Sequence, residues 1–122
     1  MNPIYVRGDK EKILAAFRGF SDIMVLSSAP LRKIKDLPSE TGVYFVLDYN
    51  FKRVRYIGST CLIRERWTSG HEVRTRLKDA PDGVRIHYML CDTERTARSI
   101  EAGLINSVRP TWNVPRVYPN TR

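Results

Sequence analysis

Two apolar runs, Gly42 to Asp48 and Arg53 to Gly58, are separated by only Tyr49, Asn50, Phe51 and Lys52. Both are rich in β-branched and aromatic residues, a composition suited to a pleated, buried surface. Four residues cannot make a crossover connection, so the two runs are constrained to pair as an antiparallel hairpin. Each run carries a tyrosine, and the turn decides where the two rings go. A three-residue turn at residues 49–51 places Tyr44 directly opposite Tyr56 on one face of the sheet. A four-residue turn sends them to opposite faces, because side chains alternate with a period of two. Both registers remain open at this level.

The rest of the chain supplies what a hairpin needs to be covered. Val84 to Cys91 alternates as a third strand, with Val84, Ile86, Tyr88 and Leu90 on one face. Residues Cys61 to about Ser69 read as a helix whose apolar side holds Leu62, Ile63 and Trp67, with Arg66 in the same arc. Gly70 can end that helix, and His71 opens a basic helical turn running to Leu77. Asp92 or Thr93 caps a longer helix reaching about Ser107, with Ala97, Ile100, Leu104 and Val108 in one stripe and Glu101 near its centre. Asp9 to Phe17 is a short helix on an Ile13, Leu14, Phe17 stripe, with Gly19 as its stop. Residues 20–41 contain Pro30 and Pro38 and no long regular element, and the tail from Arg109 is extended. The expected class is α+β: a small three-stranded antiparallel sheet flanked by helices, with residues 1–37 as a short helical N-terminal extension and residues 38–122 as the functional domain.

At 122 residues the chain is one domain with a single modest core. No apolar run is long enough to span a membrane and the N-terminus lacks a signal-peptide core, so a cytoplasmic location is expected. Cys61 and Cys91 then read as free thiols. With His71 and His87 they make a nominal zinc set, but neither cysteine has the close cysteine neighbour of a zinc finger. The net charge of +8 favours phosphate-rich partners over the plainer reading that charge maintains solubility. Its distribution decides the point. Lys52, Arg53, Arg55, Arg64, Arg66, Arg74, Arg76 and Lys78 fall in one stretch, opposed there by Glu65 and Glu72 alone.

Arg66 and Glu101 are charges on helix faces where packing would not place them. Either they pair with each other across the core, or they line a cleft, Glu101 holding a hard cation and Arg66 facing a phosphate. Strand tyrosines are ordinarily packing residues, but a phenol beside a metal or a guanidinium loses its proton more easily and can act as a base. His71 and Asn113 carry equally plain structural readings, as a buried histidine and a turn residue.

Taken in order, Gly42-Val43-Tyr44, Tyr56-Ile57-Gly58-Ser59-Thr60 and Arg64-Glu65-Arg66-Trp67 resemble the motifs of the GIY-YIG nuclease family. Glu101-Ala102-Gly103-Leu104-Ile105 and Pro110-Thr111-Trp112-Asn113 resemble that family's glutamate helix and closing asparagine, so the likeness covers about residues 38–115. The resemblance implies the same small sheet flanked by helices, and metal-dependent hydrolysis of DNA phosphodiesters. It implies Glu101 as the protein ligand of one Mg²⁺ or Mn²⁺, and Arg66 as the group holding the scissile phosphate. Tyr44 would activate the attacking water, Tyr56 and His71 would orient water or phosphate, and Asn113 would order the site from the tail. Substrate contacts are expected at Gly58, Ser59, Arg64, Arg74 and Arg76. The substrate would be DNA, branched or single-stranded forms included, with the oligomeric state left open. A non-catalytic DNA-binding protein on the same fold, and a module whose basic face meets an acidic protein, are the two rival functions. The first binds DNA in a steeply salt-dependent way without cutting it, and the second ignores nucleic acid.

Overall fold

A computed structural model describes residues 3–77 and 82–113. The expected loop from Asp79 to Gly83 falls largely outside them, as do Lys78 of the basic stretch and Pro115 and Pro119 of the tail. In chain order the elements are β1 (Tyr5–Val6), α1 (Lys10–Ala16), α2 (Phe20–Ile23), β2 (Ser28–Pro30) and a kinked 3₁₀ segment (Leu31–Asp36). Then come β3 (Gly42–Asp48), β4 (Arg53–Thr60), α3 (Ile63–Thr68), α4 (Glu72–Arg76), β5 (Val84–Cys91) and α5 (Glu94–Val108).

The α+β class and the three antiparallel strands stand as expected, but among the described residues the sheet has five strands rather than three. Its order is β1-β5-β3-β4, with β2 also paired to β5. β1 runs parallel to β5 through Tyr5↔Leu90, and β2 runs antiparallel to it through Ala29↔Ile86. Strands of two and three residues are too short to show a period of two, which is why periodicity did not find them. The residues between 20 and 41 are therefore more regular than expected, and Gly19 precedes α2 as its N-cap instead of merely ending α1.

All seven residues of β3 are buried, because helices cover both faces of the sheet. Val43, Phe45 and Leu47 face α1 and α5 together with Ile57, Ala97, Ile100 and Leu104. Tyr44 and Val46 face the other layer, with Ile34, Ile63, Trp67, Val73 and Ile86. Thr93 caps α5 by accepting the Thr96 N–H at 3.0 Å.

The hairpin resolves the register in a way neither turn alone provides. Asp48 pairs with Arg53, so the turn has four residues, with Lys52 in the left-handed region at φ 53°. A bulge then interrupts the ladder: Leu47 pairs with Val54 and Val46 with Tyr56, leaving Arg55 as the extra residue. That insertion reverses the alternation, so Tyr56 joins the Tyr44 face although Tyr44 itself pairs with Gly58. The bulge is anchored. Arg55 donates through Nε and Nη2 to Asp48 Oδ2 at 3.1 and 2.9 Å, while Asp48 Oδ1 accepts the Asn50 and Phe51 N–H groups of the turn at 3.0 and 3.3 Å. The carbonyls of Val54 and Arg55 accept the N–H groups of Thr111 and Trp112, so the chain after α5 lies along the free edge of β4.

Asp48 holds two turn amides and the guanidinium, whereas Arg55 loses mainly one ion pair if shortened. Asp48→Ala is therefore expected to lower stability by about 2–3 kcal/mol and Arg55→Ala by about 1–2 kcal/mol, read as urea midpoints at unchanged m-value. Equal losses, or the reverse order, would contradict this anchoring of the bulge.

Candidate active site

Tyr44 lies across the backbone of Gly58. A Cβ built on Gly58 would stand 2.4 Å from both Cζ and the oxygen of the Tyr44 ring, so only glycine lets the ring occupy this position. Tyr44 is 2% exposed. Its ring meets Trp67 and His71 edge-on, with centroids 5.5 and 5.4 Å away, and Tyr56 in an offset stack at 6.3 Å. Trp67 in turn stacks on His71 at 4.6 Å, which fixes the imidazole plane.

His71 is the N-cap of α4, and its Nδ1 accepts the Val73 N–H at 3.0 Å. A neutral ring held in that way carries its proton on Nε2, which faces the Tyr44 oxygen at 2.6 Å. His71 therefore donates to Tyr44 and cannot take the phenol's proton there. Burial, and secondarily the Arg66 charge, push the imidazole down to about 4, so it is neutral at physiological pH. The Tyr44 phenol is raised well above its ordinary range, chiefly by burial and then by the Tyr56 and Glu101 charges, with the nearby Arg66 guanidinium opposing by charge and hydrogen bond.

Arg66 does not sit in the buried arc of its helix. α3 starts only at Ile63, Leu62 is its exposed N-cap, and the buried pair is Ile63 and Trp67. Arg66 is about 60° round the helix from Ile63 and is exposed, reaching the site from its rim. Glu101 is half-buried on the inner side of α5, on the opposite face of the sheet. Its Oε1 accepts the Ser59 hydroxyl at 2.5 Å. Because β4 is an edge strand, a helix on one face and tyrosines on the other can approach the same stretch of backbone at Gly58 and Ser59.

Asn113 finishes that edge as a strand would. Its Oδ1 accepts the Ile57 N–H at 2.8 Å and its Nδ2 donates to the Ile57 carbonyl at 2.9 Å. Tyr44, Tyr56, His71, Arg66, Gly58, Ser59 and Glu101 are thus gathered round one length of β4, with Asn113 backing it. The remaining expected contacts have structural engagements. Arg64 donates from Nε to the Leu37 carbonyl at 2.8 Å, Arg74 from Nη1 to the Trp67 carbonyl at 3.2 Å, and Arg76 lies over Trp112 at 5.6 Å. Trp67, expected on the apolar side of its helix and within the arginine motif, also stacks on His71; an aromatic four residues before a histidine across a helix end is the available signal.

His87 is far from this cluster in the ladder, opposite Phe45 on the other face. Its Nδ1 donates to the Leu26 carbonyl at 2.9 Å and its Nε2 accepts from the Tyr49 hydroxyl at 2.7 Å. Burial holds it near 4 as well. Cys61 is exposed, Cys91 is buried and both are free. Among the described residues no three His, Cys, Asp or Glu side chains come together as a metal cage, and no helix is long and apolar enough to cross a membrane.

No protein-family model matches the chain. UvrABC system protein C of Synechococcus sp. (strain CC9902) is 31% identical over 88 residues, covering 68% of this chain and 13% of that protein. The corresponding protein of Trichormus variabilis is 32% identical over 105 residues, 80% of this chain and 17% of that protein. The chain therefore spans only about a seventh of the length of the curated relatives it matches. Among solved structures, the GIY-YIG N-terminal endonuclease domain of UvrC from Thermotoga maritima, bound to its catalytic magnesium, is similar with a TM-score of 0.56 and 30% identity, over 68% of this chain and 93% of that one.

Two outcomes follow from the geometry. Gly58→Ala is expected to displace the Tyr44 ring, costing about 1–3 kcal/mol of stability by overpacking, and to perturb the near-ultraviolet aromatic signal; an unchanged spectrum and midpoint would contradict the close approach. Both imidazoles have folded values near 4 against about 6.5 when unfolded. Between those values only the unfolded chain takes up the protons, so stability falls as pH drops from about 6.5 towards 4 and their contribution is flat above that window. The urea midpoint followed from pH 8 to 4.5 checks this, and a rise on acidification through the window would contradict it.

Proposed function

We propose that this chain, which belongs to the GIY-YIG nuclease family, is a metal-dependent endonuclease that hydrolyses DNA phosphodiester bonds at the Gly58 edge of β4. One observation carries the proposal: Glu101 from one face of the sheet and Tyr44, Tyr56 and His71 from the other converge on a single edge strand, with Arg66 at its rim.

The donor set fits a hard divalent cation. Glu101 supplies one carboxylate beside the Ser59 hydroxyl, and an ion held by one carboxylate with water and phosphate oxygens is the usual mode for Mg²⁺, with Mn²⁺ as its substitute. When bound, such an ion supplies charge stabilisation at the phosphate and the leaving oxygen. Arg66, exposed at the rim, pairs with the scissile phosphate and stabilises its developing charge. His71, neutral and locked by Val73 and Trp67, donates to Tyr44 and holds that phenol still.

We assign the base role to Tyr56, in place of the Tyr44 expected from the resemblance. A base that activates water must reach water. Tyr44 is buried, its oxygen already receives the His71 proton, and burial strengthens its hold on its own. Tyr56 is half-buried on the same face as Tyr44. Residues 38–122 form the nuclease unit in this reading, and residues 1–37 are an extension whose β1 and β2 complete the sheet. The likeness to UvrC proteins makes DNA the substrate class we propose, branched or single-stranded forms included.

Cleavage of supercoiled and branched DNA in Mg²⁺ or Mn²⁺ tests the proposal. Wild type is expected to nick, with cleavage lost on chelation. Glu101→Ala and Arg66→Ala are each expected to cut at least about 100-fold more slowly while retaining the fold. Wild-type protein that binds DNA yet leaves every substrate intact would favour a purely binding role and end the nuclease assignment.

A further inference from the structure

Away from the tyrosine cluster, the 3₁₀ segment Leu31–Asp36 and the two short helices α3 and α4 enclose an open groove of about 620 Å³. Its lining includes Arg32, Lys33, Lys35 and Arg74, with Thr68 between them and Asp36 as the single acidic member. Arg32, Lys33 and Lys35 are exposed, and none joins an ion pair among the described residues. Surface cations on a helix are ordinarily spread among acids for solubility; here a backbone departure concentrates them. Lys33 breaks the 3₁₀ geometry at φ −122° and ψ 40°, a kink that brings cations from both turns onto one groove while Ile34 stays buried beneath.

The groove is mechanically joined to the site. Arg74 donates to the Trp67 carbonyl, and Trp67 stacks on His71. Arg66 and Thr68 belong to the same helix, one serving the site's rim and the other the groove's wall. Leu37, the residue after the 3₁₀ segment, is bound to Arg64 of α3. The segment and helices are thus held as one surface.

We propose that this groove is a second backbone-binding site for the DNA held at the Gly58 edge, taking phosphates remote from the scissile one. The inference rests on the nuclease reading above and adds to it a role for the N-terminal extension. The chemistry is charge complementarity alone: three exposed cations, in no ion pair among the described residues, on a concave surface suit a polyanion's backbone and offer no base-reading geometry. The groove thus contributes affinity and orientation without sequence preference, and its benefit depends on DNA long enough to reach it. Short oligonucleotides that fill only the catalytic edge gain nothing from it.

The test compares wild type with a variant carrying Arg32→Ala, Lys33→Ala and Lys35→Ala. All three positions are exposed, and Arg74, which ties α4 to α3, is left intact. Binding is measured in Ca²⁺ to duplexes of about 10 and about 30 base pairs across a salt series, and cleavage in Mg²⁺ at saturating DNA. The expected result is binding to the longer duplex weakened by about 10- to 100-fold, with the slope of log K against log salt reduced by about 2–3. Binding to the short duplex and the saturated cleavage rate stay unchanged. If the variant matches wild type in affinity and slope on the long duplex, the groove does not bind DNA and the inference is overturned, an acidic protein then being the better occupant. If wild type shows the groove-dependent slope but never cuts, the nuclease reading fails while the groove inference holds. Gln at the three positions, which keeps side-chain length, is expected to match Ala; wild-type behaviour of the Gln variant would also overturn the inference, since charge would not be the cause.

Discussion

The contact between the Tyr44 ring and the Gly58 backbone is the constraint on which the site depends. An aromatic side chain of a central strand reaches the sheet's edge only by passing over the neighbouring strand, and any side chain at residue 58 would stand in its way. Placed there, Tyr44 becomes a platform against which Tyr56, His71 and Trp67 pack, so four aromatic rings define one rigid wall. The edge strand also solves a topological problem. Residues on opposite faces of a sheet cannot normally meet, but at an edge Glu101 of α5 can approach from beneath while the tyrosines remain above. Asn113 and the N–H groups of Thr111 and Trp112 satisfy the edge that would otherwise offer itself to another chain.

Much of this architecture was legible in the sequence, and the exceptions have physical causes. The limits of β3 and β5, the Thr93 cap and the stripe on α5 follow from periodicity and capping chemistry, both of which act within a few residues. Glu101 was readable for the same reason: it lies within the arc of Ala97 and Leu104, where a carboxylate is anomalous. The bulge at Arg55 was not. Its stabilising partners are Asp48, Thr111 and Trp112, two of them more than fifty residues away, and nothing local marks the extra residue. Without it, a four-residue turn separates the two tyrosines, so a long-range set of bonds decides a question posed by a short loop.

Arg66 was misplaced because a helix start was set too early. Moving the first turn from Cys61 to Ile63 leaves just two buried positions, Ile63 and Trp67, and puts Arg66 on the flank. The outcome suits the phosphate role proposed for Arg66, since an exposed guanidinium can meet a ligand from solvent, whereas one in the core would need a permanent partner. His71 shows the same division between what spacing reveals and what packing decides. Its position was readable; its neutral state and its Nε2–H tautomer follow from the Val73 N–H and burial. Those two facts make it a donor to Tyr44, and leave the half-buried Tyr56 as the phenol to which the base role is proposed.

In the proposed mechanism the two stacked tyrosines divide their roles, Tyr56 as the base and Tyr44 as the fixed ring behind it. Single-turnover cleavage of an end-labelled duplex in Mg²⁺ by Tyr56→Phe and Tyr44→Phe measures this division directly. Loss of a general base costs about 10²–10⁴ in rate, so Tyr56→Phe is expected to slow the chemical step by about 1,000-fold and Tyr44→Phe by about tenfold, with DNA binding retained in both. A Tyr56→Phe protein that cuts at nearly the wild-type rate while Tyr44→Phe is inert would contradict it.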